Sequence, residues 1–339
     1  MLVGKKGLNT LLCERYTTML CLLNLVLASP ALAQNFTHMF AFGDSYSDYG
    51  NLFRATGHTR PDPRYYYEGR TSNGPTWIEV AASRFSANLT SFAYGGATSD
   101  NVKYTASVPG AKQQVDIEFE AYRNKDTASF DRIRNSSLII YAFVGNDLFL
   151  PNGDAKSVVM ELAESLGRLI ARTQIPSVLI TVSNGIRFTP FTNAIPDPQK
   201  TSIINLAEDF KLEWGRQIVV LRKNFPATTF YELHGQSFWG NFTSETIPGT
   251  SRPWKNQVAC LTPAQESELV QACPARTAFE PSLEQACASI ASANLTFPNY
   301  NVCSDPDDHV FWDKIHPTAV MHRHIATHMQ QVLQGDVFY

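Results

Sequence analysis

A serine, a histidine and an aspartate stand where an acyl-transfer site would need them. Ser45 lies in Phe42-Gly43-Asp44-Ser45-Tyr46-Ser47-Asp48, and Asp313 precedes His316 by three positions in Asp313-Lys314-Ile315-His316. Attack by a hydroxyl needs a base to take its proton, a carboxylate to hold that base in one tautomer, and donors for the oxyanion. Ser45 is the candidate nucleophile, His316 the candidate base and Asp313 its holder. Three donors are candidates for the oxyanion. The Ser45 N–H is expected at the start of a helix, where donors are free. The Gly96 N–H can be approached closely because no side chain shields it. The Asn146 amide, in Gly145-Asn146-Asp147, is the third. Asp44 and Trp312, one beside the nucleophile and one beside the triad, are candidates for contact with substrate.

Each piece alone has an ordinary explanation. Asp-x-x-His arises by chance in long chains, and Gly-Asn-Asp is commonly a turn. A serine after a strand is commonly an N-cap, with Asp44 and Asp48 as rivals for that task. What distinguishes the set is its placement at the ends of apolar runs. Thr37 to Phe42, Leu138 to Val144, Ser177 to Val182 and Thr228 to Leu233 read as strands buried on both faces, with a weaker one from Leu89 to Tyr94. Helical patterns lie between them over Trp77 to Phe85, Ala155 to Thr173 and Thr201 to Phe225, and a last one spans about Thr318 to Leu333. Alternating strand and helix predicts one α/β domain with a doubly wound, mostly parallel sheet, whose ligands sit at the carboxyl ends of the strands. The candidate residues fall at those ends or in the last loop.

Compartment is read from the N-terminus and the cysteines. Lys5, Lys6 and Arg15 precede an apolar run from Met19 to Ala28, and Ala31-Leu32-Ala33 has the small-x-small form of a cleavage site. Residues 1–33 are therefore expected to be a secretory signal and 34–339 one domain of about three hundred residues. The whole chain carries a formal charge of −3, and the part after the leader is near −5. That acidity argues against nucleic acid and anionic membranes as partners. No later segment has the roughly twenty apolar residues that stable membrane insertion needs. Cys260, Cys273, Cys287 and Cys303 fall in one segment, about 238–308, rich in Pro, Ser, Ala and Asn and without a clear strand. Four cysteines allow three pairings. The nested one, Cys260–Cys303 around Cys273–Cys287, would close an insertion at its base. Sequons at Asn35, Asn88, Asn135, Asn241 and Asn294 suit a glycosylating secretory route.

Four blocks, Phe-Gly-Asp-Ser-Tyr-Ser-Asp, Ala-Tyr-Gly-Gly-Ala-Thr, Gly-Asn-Asp and Asp-x-x-His-Pro, together resemble those of the SGNH, or GDSL, hydrolases, in family order from Phe42 to Pro317. The segment Gly69-Arg70-Thr71-Ser72-Asn73-Gly74-Pro75-Thr76-Trp77 is similar to one found in plant and fungal members. Among them the chain most resembles the secreted fungal carbohydrate esterases of family 16. The resemblance implies a three-layer α/β/α sandwich with a flavodoxin-like sheet and no metal or organic cofactor. It implies catalytic Ser45, Asp313 and His316, with Ser45, Gly96 and Asn146 forming the oxyanion hole. It also implies an acetylated sugar as substrate; a monomer is expected. Tyr46 and Ser47 replace the eponymous leucine region, and Val144 stands where a second glycine is frequent.

Other clusters have plainer readings. His324 and His328 stand four apart on the last helix, a spacing that can hold a metal, but a solvated face is the expectation. Tyr65-Tyr66-Tyr67 could stack on a sugar, whereas Trp77 belongs to a helical core pattern. Two rival functions remain: a lipase or phospholipase on the same scaffold, and a sugar-binding glycoprotein without catalysis. An intact Ser45–His316–Asp313 set speaks against the second.

Overall fold

The computed structural model describes residues 35–150, 153–183, 185–242, 245–248, 250–264 and 299–335. Five strands form its centre: β1 (His38–Gly43), β2 (Asn88–Ser91), β3 (Ser137–Ala142), β4 (Ser177–Ser183) and β5 (Thr229–His234). They pair in parallel in the order β2-β1-β3-β4-β5. The chain runs from β1 outward to β2 and then back past β1 to β3. This reversal opens a crevice at the carboxyl end of β1, the place where open α/β sheets bind ligands.

Strand side chains alternate between two buried faces, which is why these runs read as continuously apolar. Phe40, Phe42, Ile139, Tyr141, Val178 and Ile180 face one side. They meet Val115 and Phe119 of the helical segment 111–125, Val158, Leu162 and Leu166 of α2 (Ala155–Thr173), and Phe210 and Trp214 of α3 (Gln199–Asn224). On the other side, Met39, Ala41, Leu138, Ile140 and Leu179 meet Trp77, Ile78 and Ala81 of α1 (Trp77–Phe85) and Met321, Ile325 and Met329 of α4 (Ala319–Gln334). Helices on both faces of one sheet give the three-layer sandwich.

Local signals fix the helix ends. Thr76 and Glu79 form a capping box at α1. Asp154 accepts the N–H groups of Lys156 and Ser157 at α2, and Thr318 accepts that of Met321 at α4. Gly335, at φ 76°, ends α4 in the left-handed conformation that glycine adopts without strain.

The segment expected to lack strands contains three short ones, with a fourth just past its end. They are β6 (Lys255–Ala259), β7 (Leu261–Pro263), β8 (Tyr300–Val302) and β9 (His309–Phe311). β6 pairs in parallel with β9, and β7 pairs antiparallel with β8. Each is only three to five residues long, too short to show an alternating pattern, so composition hid them. Cys260 and Cys303 are joined by a disulfide at the base of the β7–β8 pair, with Cα atoms 4.9 Å apart. Cys273 and Cys287 lie outside the described residues, as do residues 1–33 and Asn294. The Asn35, Asn88 and Asn135 side chains are exposed; that of Asn241 is outside the description.

One buried side chain holds the end of β1. Gln114, in a π-helical turn over Gln114–Phe119, accepts the Gly43 N–H (3.0 Å) and donates to the Gly43 carbonyl (2.9 Å). Gly43 must be glycine, since a Cβ there would come within 2.4 Å of the Ala142 carbonyl oxygen on the neighbouring strand. Replacing Gln114 with methionine keeps the volume and strands the buried Gly43 N–H. Stability should fall by about 1–3 kcal/mol, measured by urea unfolding; unchanged stability would show that Gln114 is not the clamp.

Candidate active site

Ser45 follows β1 in a tight turn closed by the Ser47 N–H on the Asp44 carbonyl (3.0 Å). It is not at a helix start, as the sequence suggested. The next helix is the short Asn51–Ala55, whose N-cap position is Gly50. The Asp48 carboxylate accepts the N–H groups of Gly50 (2.8 Å), Asn51 (2.6 Å) and Leu52 (3.0 Å). It also accepts the Gly95 N–H at 2.8 Å, so one carboxylate ties the nucleophile loop to the Gly96 loop.

Asp44 does not touch solvent and cannot be a substrate contact. Its carboxylate instead accepts the Tyr46 N–H (3.3 Å) on one oxygen and the Val144 N–H (2.6 Å) on the other. It thereby fastens the Ser45 turn to the end of β3. Burial pushes Asp44 up to about 7, although both N–H bonds and the nearby His316 pull the other way.

His316 comes from the loop before α4, 271 positions along the chain from Ser45. Its Nε2 lies 2.9 Å from Ser45 Oγ, and its Nδ1 lies 2.7 Å from Asp313 Oδ2. With the Nδ1 proton directed at the carboxylate, Nε2 is free to accept the serine proton. Asp313 Oδ1 accepts the N–H groups of Ile315 (2.9 Å) and His316 (2.8 Å). Burial alone would raise Asp313. The His316 charge and these hydrogen bonds outweigh it, and the carboxyl lies below its ordinary range.

Three consecutive polar residues strap the two distant loops together. Thr71 Oγ1 donates to the Ser45 carbonyl (2.7 Å), Ser72 Oγ donates to the Pro317 carbonyl (2.8 Å), and Asn73 Oδ1 accepts the Ala319 N–H (2.7 Å). The Tyr46 hydroxyl adds a fourth tie, donating to the Ile315 carbonyl at 2.5 Å, with its ring 5.9 Å from that of His316. Sequence reasoning missed all four. Their acceptors are backbone groups remote in sequence, and the one available signal was a polar triplet just ahead of a helix.

Gly96 has φ 79°, and its N–H, like that of Ser45, has no protein acceptor among the described residues. Asn146 opens a 3₁₀ turn after β3, and its amide donates to the Ala97 carbonyl at 2.9 Å. That bond uses one of two amide protons and sets the side chain beside the Gly96 loop. Two free backbone donors, an amide and a serine–imidazole–carboxylate relay are the parts that acyl transfer requires.

Other expectations change. Trp312 is buried in a cluster with Cys260 and Leu261, against which Tyr65 and Tyr66 pack, so it supports the loop and presents little surface to substrate. The face of α4 bearing His324 and His328 is half-buried and not freely solvated. The His324 ring meets Phe242 and Trp254, and the His328 ring stacks on Phe238. Burial lowers both imidazoles, which keeps them neutral. Cys303, Asp305 and His309 lie together, but the disulfide removes Cys303 as a metal ligand and Lys255 pairs with Asp305. An apolar cavity of about 50 Å³ opens at the carboxyl ends of β3 to β5, lined by Tyr46, Val144, Thr181, Leu233, Trp239 and Ile325 among others.

The family model for GDSL-like Lipase/Acylhydrolase matches residues 39–329. The chain is 26% identical over 331 residues to a phosphatidylcholine-sterol acyltransferase of Aeromonas hydrophila, covering 89% of this chain and 92% of that one. It is 26% identical over 294 residues to a thermolabile hemolysin of Vibrio parahaemolyticus, covering 85% of this chain and 62% of the relative. A solved structure described as a GDSL-like lipase, from Parabacteroides merdae, aligns over 89% of this chain with 12% identity and a TM-score of 0.38. No described helix is long and apolar enough to cross a membrane.

Asp44→Asn tests the fastening of the turn. Asparagine offers one acceptor where two N–H groups need one each, so the Ser45 turn should loosen. Esterase kcat/KM should drop about tenfold or more, with about 1–3 kcal/mol of stability lost. A variant matching the wild type in both assays would show that Asp44 is dispensable.

Proposed function

We propose that this chain, which belongs to the GDSL-like lipase/acylhydrolase family, hydrolyses carboxylic esters through an acyl-enzyme formed on Ser45. It is an ester-hydrolysing enzyme, and the relay from Ser45 Oγ to His316 (2.9 Å) and on to Asp313 (2.7 Å) is the observation that carries the mechanism. Ser45 Oγ attacks the ester carbonyl while His316 Nε2 takes its proton. The oxyanion receives the Ser45 and Gly96 N–H groups and the free proton of the Asn146 amide. As the intermediate collapses, His316 returns the proton to the departing alcohol. A water then enters by the same route, giving its proton to His316 and its oxygen to the acyl carbon, and Ser45 is released protonated. Where an alcohol enters instead of water, the acyl group is transferred rather than hydrolysed.

For the acyl group the leading reading is a fatty-acyl ester of a lipid. The relative matched over 92% of its length is named for an acyl transfer from phosphatidylcholine, and an apolar cavity adjoins Tyr46 and Val144. The second reading is an acetyl group on a cell-wall oligosaccharide, supported by the resemblance of the sequence blocks to carbohydrate esterases of family 16. Secretion belongs to the same proposal: the leader at 1–33, the exposed sequons and the Cys260–Cys303 disulfide all suit an oxidising compartment.

Nitrophenyl acetate and octanoate, assayed side by side, test both parts. Ser45→Ala should lower kcat by about a thousandfold or more on either ester; retained turnover would remove Ser45 as nucleophile. A higher kcat/KM on octanoate supports the lipid reading. Preference for acetate, extended to acetylated xylo-oligosaccharides, would put the carbohydrate reading in its place.

A further inference from the structure

Asp313 has one more partner than the relay needs. The Tyr66 hydroxyl donates to its Oδ2 at 2.8 Å, the same oxygen that receives the His316 Nδ1 proton. Tyr66 lies 247 positions away, in the tyrosine run whose aromatic faces first suggested sugar stacking. Its place is built from both sides. The Tyr65 and Tyr66 N–H groups both donate to the Asp62 carbonyl (3.1 Å each), which turns the arm inward. The Tyr65 hydroxyl accepts the Tyr300 N–H (3.1 Å), and the two rings meet edge to face at 5.3 Å. Tyr300 begins β8 of the antiparallel pair whose base the Cys260–Cys303 disulfide closes. Both tyrosines pack against the buried cluster of Cys260, Leu261 and Trp312, the last immediately before Asp313 in sequence.

We propose that Tyr66 is a positioning residue that sets the pH at which His316 becomes a competent base. This rests on the reading of Ser45, His316 and Asp313 as the catalytic set. A carboxylate oxygen that already receives a phenol proton has less electron density for the imidazolium. Tyr66 therefore weakens the stabilisation that Asp313 gives to protonated His316, and His316 sheds its proton at lower pH. The phenol also fixes the carboxylate plane so that Oδ2, not Oδ1, meets Nδ1. The other groups facing the pair are Asp44, the Tyr46 phenol and His322, with Lys314 exposed alongside. His322 is buried and pushed down to about 3, chiefly by that burial, so it stays neutral. None of them changes when the Tyr66 hydroxyl is removed.

Tyr66→Phe deletes that hydroxyl and keeps the ring that packs against the cluster containing Trp312. Two readouts are compared with wild type: the pH profile of kcat/KM on nitrophenyl acetate, and the pH titration of the His316 imidazole by NMR. Loss of the phenol proton makes Asp313 the stronger acceptor, so protonated His316 gains stability. The acid limb of kcat/KM and the imidazole titration should both move up by about half to one pH unit, with the high-pH plateau within about threefold of wild type. A uniform fall in activity with both midpoints unmoved would overturn the proposal and leave Tyr66 a packing residue. An imidazole titration that shifts while the acid limb does not would sink the reading of His316 as the base, a failure distinct from that of Tyr66. Ser45→Ala, assayed in parallel, tests the nucleophile independently of either.

Discussion

Everything in this molecule depends on a 2.9 Å contact between two side chains 271 positions apart. A serine at the end of the first strand and a histidine before the last helix cannot find each other by local structure. Loop closure over that length carries an entropic cost growing as the logarithm of the separation, and the sheet and its helices meet most of it. Packing alone leaves loops free by more than the few tenths of an ångström that proton transfer tolerates. The strap Thr71-Ser72-Asn73 removes that freedom, because its three side chains hold Ser45, Pro317 and Ala319 at once. The strap is itself anchored: Glu79 closes the capping box with Thr76 and pairs with Arg70 on the strap's other flank.

Buried acids supply the second layer of rigidity. Asp44, Asp48 and Asp147 all lie away from solvent around the nucleophile, where an unpaired carboxylate would be costly. Each is offset by backbone N–H donors from a different loop, so satisfying the charge and joining the loops are one act. Asp147 shows how close the balance is. Ser99 Oγ stands 2.6 Å from Asp147 Oδ1 and 2.7 Å from Glu161 Oε2, and a hydroxyl has a single proton to give. The two carboxylates therefore compete for it. Burial pushes Asp147 up to about 6 against the pull of the Ser99 hydroxyl and N–H, and Lys103 pairs with Glu161.

The sequence disclosed what is local and concealed what is not. Trp77–Phe85 and Ala155–Thr173 are helices at the bounds expected from periodicity and caps, because both signals lie within the element. Four of the five sheet strands were found within a residue or two, since burial on two faces makes them unbroken apolar runs; the edge strand β2 ends three residues before the expected Tyr94. Asp44 misled because a charged residue beside a nucleophile looks like a substrate contact until its two N–H partners, one of them a hundred positions away, are known. Trp312 and the α4 histidines misled in the same manner: burial against the disulfide or against Phe238, Phe242 and Trp254 is set by tertiary packing. The strands of the cysteine segment carry too few residues for any period to register.

Tyr46 shows why a departure from a family pattern need not be neutral. It stands where the eponymous leucine region would be, one residue after the nucleophile. A leucine could line the apolar cavity there but could not reach the histidine loop with a hydrogen bond. The tyrosine does both. Its hydroxyl donates to the Ile315 carbonyl, its ring lies against His316, and the same ring forms a wall of the cavity beside Val144. Burial holds the phenol proton on the oxygen well beyond the physiological range, so the donor of this tie is kept. One side chain thus couples the shape of the cavity to the position of the imidazole.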